Sequence, residues 1–207
     1  MISITIIIII VTAAVSIPAF NNSKLFYKLD FTPYIIERNK EWHRFLSHAL
    51  LHADWMHLIV NMLVLFFFGG ITQNYFEAYA GTTGTFYFVL LYIGGIMFAI
   101  LPTYKKQKDN PNYHSVGASG AVSSVLFSSV IFSPGTSICL YGLWCFPGIV
   151  WAIIYLVYSY IQGKKSGDYV NHDAHFWGAI FGVGFTFLTV PKSFPVFIDQ
   201  ILRLLPF

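Results

Sequence analysis

Gly117-Ala118-Ser119-Gly120 stands at the head of an apolar run, 116–132, long enough to cross much of a bilayer. Two further apolar runs open on polar residues in the same way, one on His57 with Asn61 and one on His175. Polar side chains are costly at membrane depth, so several at the heads of hydrophobic segments point to a site. A serine flanked by small residues, with histidines available as base and as hydrogen-bond donors, has the parts of a hydrolase. The pattern implies serine-protease chemistry inside a membrane.

Composition supports that setting. The 207 residues are 56% hydrophobic and 19% aromatic but only 10% charged. Soluble domains carry roughly 25% charged residues, so the chain reads as an integral membrane protein. The net charge of +3 is small, and the basic residues lie in scattered loops with no interleaved aromatics, which argues against nucleic acid as a partner. Cys139 and Cys145 have neither C-x-x-C spacing nor further thiols beside them; they read as two inert thiols rather than a disulfide or metal pair. Residues 1–15 lack the charged leader of a signal peptide, and their apolar run is expected to remain as a helix.

Hydropathy predicts six spans, at 2–20, 56–71, 85–101, 116–132, 146–161 and 175–190, within one all-α membrane domain over 1–207. Several are short for a full crossing, as expected of helices whose polar ends stop in a water-filled cavity. The long first loop, 21–55, mixes charges with apolar clusters and is expected to lie partly in the interface, anchored by Trp42. The stretch 162–171 is polar and glycine-containing, as a cover would be. The tail 194–207 reads equally as an interfacial helix or a solvated segment.

His57 and Asn61 are four apart and share one helical face, with Asp54 as the expected N-cap. They could hold a developing oxyanion, or simply bond neighbouring helices. With Gly117 as cap, Ser119 is the second residue of its helix and its N–H is one of the unpaired donors; with Ser115 as cap it is the fourth. Gly178 and Gly182 form a small-xxx-small stripe after His175. Packed against Gly120, that stripe brings His175 within reach of Ser119, where it can take and return a proton. Asp173, two residues from His175, points away from it on a helix, so a dyad without a carboxylate is expected. His48 and His52 are one turn apart, but H-E-x-x-H and a third ligand are missing, so no metal is expected. His48 is expected to bond within the first loop and His52 to support the site; His43, His114 and His172 read as simple loop residues.

Four pieces together resemble the rhomboid family of intramembrane serine proteases. They are His48-Ala49-Leu50-Leu51-His52, His57-Leu58-Ile59-Val60-Asn61-Met62, Gly117-Ala118-Ser119-Gly120, and Ala174-His175 with Gly178 and Gly182. Their order and placement agree over nearly the whole chain. The resemblance implies a six-helix bundle with a cavity opening to the non-cytoplasmic side of a bacterial inner membrane. It implies Ser119 as nucleophile and His175 as base. His57, Asn61 and the Ser119 N–H would form the oxyanion hole, with Gly117 shaping the loop and His52, Gly120, Gly178 and Gly182 in support. Substrates would be single-span membrane proteins cut near the top of their helix, and no cofactor is implied. A catalytically silent relative that binds membrane helices is the competing reading, and keeping both Ser119 and His175 argues against it.

Three positions depart from the family pattern. His43 separates Trp42 from Arg44, Gln73 stands where an acid is common, and Ser123 stands where an aromatic residue often packs on the histidine. Orientation is contested within the sequence itself. Ten of the twelve Lys and Arg residues fall in loops one, three and five, beside the candidate site. The positive-inside rule puts those loops in the cytoplasm and the resemblance puts them outside. The outward orientation is the one expected here, because an interfacial first loop need not behave as a free positive loop.

Overall fold

Buried small residues, rather than bulky ones, organise this molecule. The computed structural model describes residues 3–140, 142–164 and 170–204. Helix α1 (Ile4–Ala19) leads into a first loop built of α2 (Ser23–Leu29), α3 (Pro33–Asn39), α4 (Arg44–Ser47) and a 3-10 turn at His48–Leu50. Then follow α5 (Trp55–Ala80), α6 (Thr83–Gln107) and α7 (Ser119–Phe132). A hairpin of β1 (Ser137–Leu140) and β2 (Trp144–Pro147) precedes α8 (Gly148–Gly163), α9 (His172–Thr189) and α10 (Ser193–Leu204). Each apolar segment read from the sequence falls on one helix: α1, α5, α6, α7, α8 or α9. Helices α5 and α6 are each long and apolar enough to cross a membrane, and α9 with α10 reaches that standard only as a pair bent by 116°. The other three are shorter.

Element ends move where caps and polar pairs override hydropathy. Helix α5 runs past the apolar stretch because Gln73 donates to Glu77 at 2.8 Å, and Thr85 of α6 donates to the same carboxylate at 2.5 Å. That pair occupies the place where the sequence departs from an acid at position 73. Asp54 caps α5 as expected, its Oδ1 accepting the His57 N–H at 2.7 Å. Asn171 caps α9, accepting the Ala174 N–H at 3.1 Å, so His175 is the fourth residue of its helix. The tail forms α10, an amphipathic helix whose Gln200 reaches Phe132 O at 3.2 Å. Residues 165–169, half of the expected cover at 162–171, lie outside the described residues.

One expectation fails outright. Cys139 and Cys145 are not free thiols: they are directly opposed in the hairpin, their Cα atoms 4.0 Å apart, and they form a disulfide. Spacing in sequence hid this, because antiparallel pairing brings opposite residues together whatever the intervening turn. Helix α7 has 14 residues, so the hairpin sits about 20 Å along its axis from Ser119.

Helix α7 is the centre. Every residue in it except Ser119 and Leu126 is buried, the pattern of a helix surrounded by others. Its composition permits this, since Gly120, Ser124 and Ser128 present a narrow stripe four residues apart. The facing stripe on α9 is Gly178, Gly182 and Thr186. A Cβ at Gly178 would lie 2.2 Å from Gly120 O, and one at Gly182 would lie 2.3 Å from Ser124 O. Backbone therefore meets backbone along this seam. Ser124 Oγ–H lies 2.8 Å from Gly178 O and 3.0 Å from Gly120 O, and Thr186 donates to Ser128 Oγ at 2.7 Å. Hydroxyls in the stripe thus bond across the contact, one to a carbonyl and one to a hydroxyl.

The seam makes a stability contrast within one helix. Gly178→Ala should lower stability by about 1–3 kcal/mol, the usual cost of overpacking, because α7 and α9 must separate. Gly184→Ala, where an added Cβ meets nothing within 4 Å, should be neutral or stabilising. Thermal unfolding in detergent reads both; equal midpoints for the two variants would contradict backbone contact at the seam.

Candidate active site

The loop before α7 is shaped by one glycine. Gly117 has φ +125, a conformation L side chains rarely adopt, and a Cβ there would also lie 2.7 Å from His57 Cε1 and 2.9 Å from its Nε2. After this turn Ala118 is the N-cap and Ser119 the first residue of α7. The sequence placed Ser119 second or fourth; the turn at Gly117 delays the helix. The Ser119 N–H is still among the four donors without an intrahelical partner, at the positive end of the helix dipole.

Loop one holds this turn from three sides. Phe31 and Ser115 exchange backbone bonds at 2.9 and 3.0 Å, and the Gly117 N–H donates to His48 O at 3.0 Å. The Ala118 N–H approaches His52 Nε2 at 3.5 Å. His52 is fully buried, and its other nitrogen lies 3.0 Å from Ser16 Oγ. Ser16 gives its own proton to Leu50 O at 2.8 Å, so His52 Nδ1–H is the donor and Nε2 the acceptor. His52 thereby links α1, loop one and the serine turn. His48 Nδ1–H donates to Arg44 O at 2.9 Å, within the first loop as expected.

Beneath these lies a buried charge network. Arg44 Nη1 donates to Asp30 Oδ1 at 2.6 Å and to the Tyr27 and Asp30 carbonyls at 2.9 and 2.8 Å, while its Nε reaches Glu41 at 2.8 Å. The second Asp30 oxygen accepts from His114 Nδ1–H at 2.6 Å. His114 is therefore no simple loop residue: it joins the third loop to the first. His172 also departs from that reading, being the buried first residue of α9 with its ring edge-on to His175 at 5.7 Å. His43 stays at the surface, facing Lys28 O at 3.3 Å.

A cavity of about 700 Å³ opens above these elements, and His57, Asn61, Gly117, Ser119, Gly120 and His175 all line it. Gly178 and Gly182 lie behind, in the seam that seats α9. The Ala53 N–H points at His57 Nδ1 at 3.5 Å, which puts the His57 proton on Nε2, facing the serine turn. Asn61 Nδ2 gives one hydrogen to His57 O at 2.9 Å, and an amide nitrogen carries two. Asp173 lies 3.5 Å from Lys106, in an ion pair linking α9 to α6. Among the described residues, no three His, Cys, Asp or Glu side chains gather as a metal site.

Sequence reasoning missed Ser16, Asp30 and Tyr155. Ser16 lies inside an apolar run and Asp30 is 14 residues from its arginine, so neither carries a local signal. The Tyr155 ring, from α8, stacks on His175 with centroids 6.0 Å apart and planes at 21°. Its one trace in the sequence is the small residue at 123, the position its hydroxyl reaches at 2.7 Å.

Residues 39–192 match the family described as Rhomboid domain. The chain is 26% identical over 160 residues to "Rhomboid-like protein 11, chloroplastic" of Arabidopsis thaliana, covering 72% of this chain and 53% of that protein. It is 29% identical over 163 residues to "Putative rhomboid protease YdcA" of Bacillus subtilis (strain 168), covering 75% of this chain and 71% of the other. The chain thus spans about half of the chloroplast protein.

Burial pushes His48 down to about 4 and His52 to about 3. Their unfolded counterparts titrate near 6.5, so folding gains from both above about pH 6.5 and loses that gain as pH falls toward the folded values. The melting midpoint in detergent should therefore be lower at about pH 5 than at about pH 7.5. His52→Gln, which keeps an amide donor and acceptor without a titrating ring, should shrink that difference. An equal acid drop in both proteins would contradict a neutral, buried His52.

Proposed function

The chain belongs to the rhomboid family, and from that premise we propose that it is an intramembrane serine endopeptidase. Its six apolar helices are read as six transmembrane spans, and its substrates as single-span membrane proteins cut near the membrane surface. The observation that carries this reading is the shared cavity: Ser119 and His175 both line it, on helices locked together by the glycine seam.

The steps follow from the side chains. Ser119 Oγ attacks the scissile carbonyl while His175 accepts its proton, later returning it to the leaving amine. Charge on the former carbonyl oxygen is met by the Ser119 N–H at the helix N-terminus, by His57 Nε2–H and by the remaining Asn61 Nδ2 hydrogen. Water then hydrolyses the acyl-enzyme with His175 as base. The cavity brings that water to membrane depth, and close backbone approach at Gly117 leaves room for an unwound substrate strand. The chemistry draws on no metal or cofactor.

With a single-span reporter bearing a Gly-Ala pair at its helix head, Ser119→Ala and His175→Ala should each abolish cleavage while the protein stays folded. Asp173→Asn should keep most activity, because its carboxylate serves the Lys106 pair. His57→Ala and Asn61→Ala should each lower turnover by roughly 10²–10³, the usual loss for one oxyanion donor. No cleavage by folded wild-type protein would leave the helix-binding, silent reading in its place, and full cleavage by Ser119→Ala would remove Ser119 as the nucleophile.

The site is proposed to face the non-cytoplasmic side of a bacterial inner membrane. Support comes from the folded first loop, where Arg44 is paired with Asp30 and Glu41 and Arg38 lies 3.9 Å from Asp109. A first loop folded in this way need not cross as a free positive segment, and the positive-inside rule is a bias with exceptions. A cysteine introduced at Lys106 should react with an impermeant maleimide on intact cells. Labelling only after permeabilisation would invert the protein and put the Cys139–Cys145 disulfide on the oxidising side of the membrane.

A further inference from the structure

Tyr155 is fixed at both ends. Its hydroxyl lies 2.7 Å from Ser123 Oγ, and the face of its ring lies against His175 at 6.0 Å and 21°. Ser123 is one turn below Ser119 on α7, and Phe127, one turn further, tilts against the Tyr155 ring at 5.8 Å. The ring therefore fills the groove beside the stripe that begins with Ser119. It also lines the cavity with Ser119, Ser123 and His175. On another side His175 meets the edge of His172 at 5.7 Å, so its ring is packed by aromatic neighbours from α8 and α9.

Helix α8 packs inward through Ile149, Ala152, Tyr155 and Leu156. Gly148, Ala152 and Ser159 are its buried residues, and much of its surface is exposed. Its Tyr155 ring packs on the core cluster of Phe127, Val130, Ala152 and Ala179 and reaches His175 at the cavity end of that cluster. The hydroxyl is committed to Ser123, which leaves the ring face as the part that acts on His175. A small residue at 123 is the condition for this: a large side chain there would occupy the space of the Tyr155 ring.

We propose that Tyr155 is a positioning residue for the reaction, holding the His175 imidazole in line with Ser119 by stacking from α8 and anchored by its hydroxyl to Ser123. This rests on the reading of Ser119 and His175 as nucleophile and base. It also makes the seating of α8 a condition for an aligned base, so displacement of α8 withdraws the ring from His175.

The test uses the full-length protein in detergent and a fluorophosphonate probe, whose first-order inactivation rate and apparent affinity are separated by varying its concentration. Tyr155→Leu, which keeps apolar volume but removes the planar face, should slow inactivation by about tenfold, near the upper end of what an aromatic pair contributes, with the affinity little changed. Tyr155→Phe should return the rate to within about threefold of wild type. Adding Ser123→Phe to Tyr155→Leu, which moves a ring into the groove from α7, should recover part of the loss. An unchanged rate in Tyr155→Leu overturns the proposal, as does a Phe variant as slow as the Leu variant, since the hydroxyl would then be the active part. A loss that appears only in affinity also overturns it. If wild-type protein fails to react while folded, the serine-hydrolase reading itself fails, and Ser119→Ala run alongside distinguishes that case.

Discussion

Backbone contact between α7 and α9 is the constraint from which the rest follows. Two helices that meet through Gly178 and Gly182 against Gly120 and Ser124 have no side chain to act as spacer. Their relative height is then set by hydroxyl bonds, from Ser124 to the Gly178 carbonyl and from Thr186 to the Ser128 hydroxyl. In a bilayer such contacts replace the hydrophobic drive that is missing between lipid-facing helices. Because Ser119 begins one helix and His175 lies in the first turn of the other, fixing that height also fixes how the two side chains share the cavity.

The first loop answers a second need, a stiff support for the irregular turn before α7. In a bilayer, backbone outside a helix is tolerated only where protein satisfies it or where it lines a cavity. Phe31, His48 and His52 supply partners to the residues just before α7, while Arg44 and Asp30 hold the loop itself. A buried pair of this kind is weak evidence for net stability, because desolvation offsets much of the attraction. Its effect here is geometric: Arg44 ties three carbonyl or carboxylate groups to one place, and His114 carries the tie across to the third loop.

Much of this was legible in the sequence, for identifiable reasons. The polar heads of the apolar runs, the Asp54 cap and the Gly178–Gly182 stripe all act within one or two helical turns, where spacing is informative. What was hidden depends on long separations. Asp30 and Arg44, Ser16 and His52, and Tyr155 and His175 each meet through folding of a loop or packing of distant helices. The disulfide was hidden by a hairpin that hydropathy did not reveal, and the start of α7 by a glycine turn that composition alone could not date to one residue. Ser123 was legible only as a departure; the ring that uses its space comes from a different helix.

The central claim is that the glycine seam sets Ser119 against its base, and the most direct measurement is peptide mapping by mass spectrometry after fluorophosphonate treatment. In folded wild-type protein the adduct should lie on the peptide carrying Ser119. It should form far more slowly in a folded Gly178→Ala protein, whose seam is forced open, than in Gly184→Ala. An adduct on a different serine, or equal rates in the two glycine variants, would contradict the account.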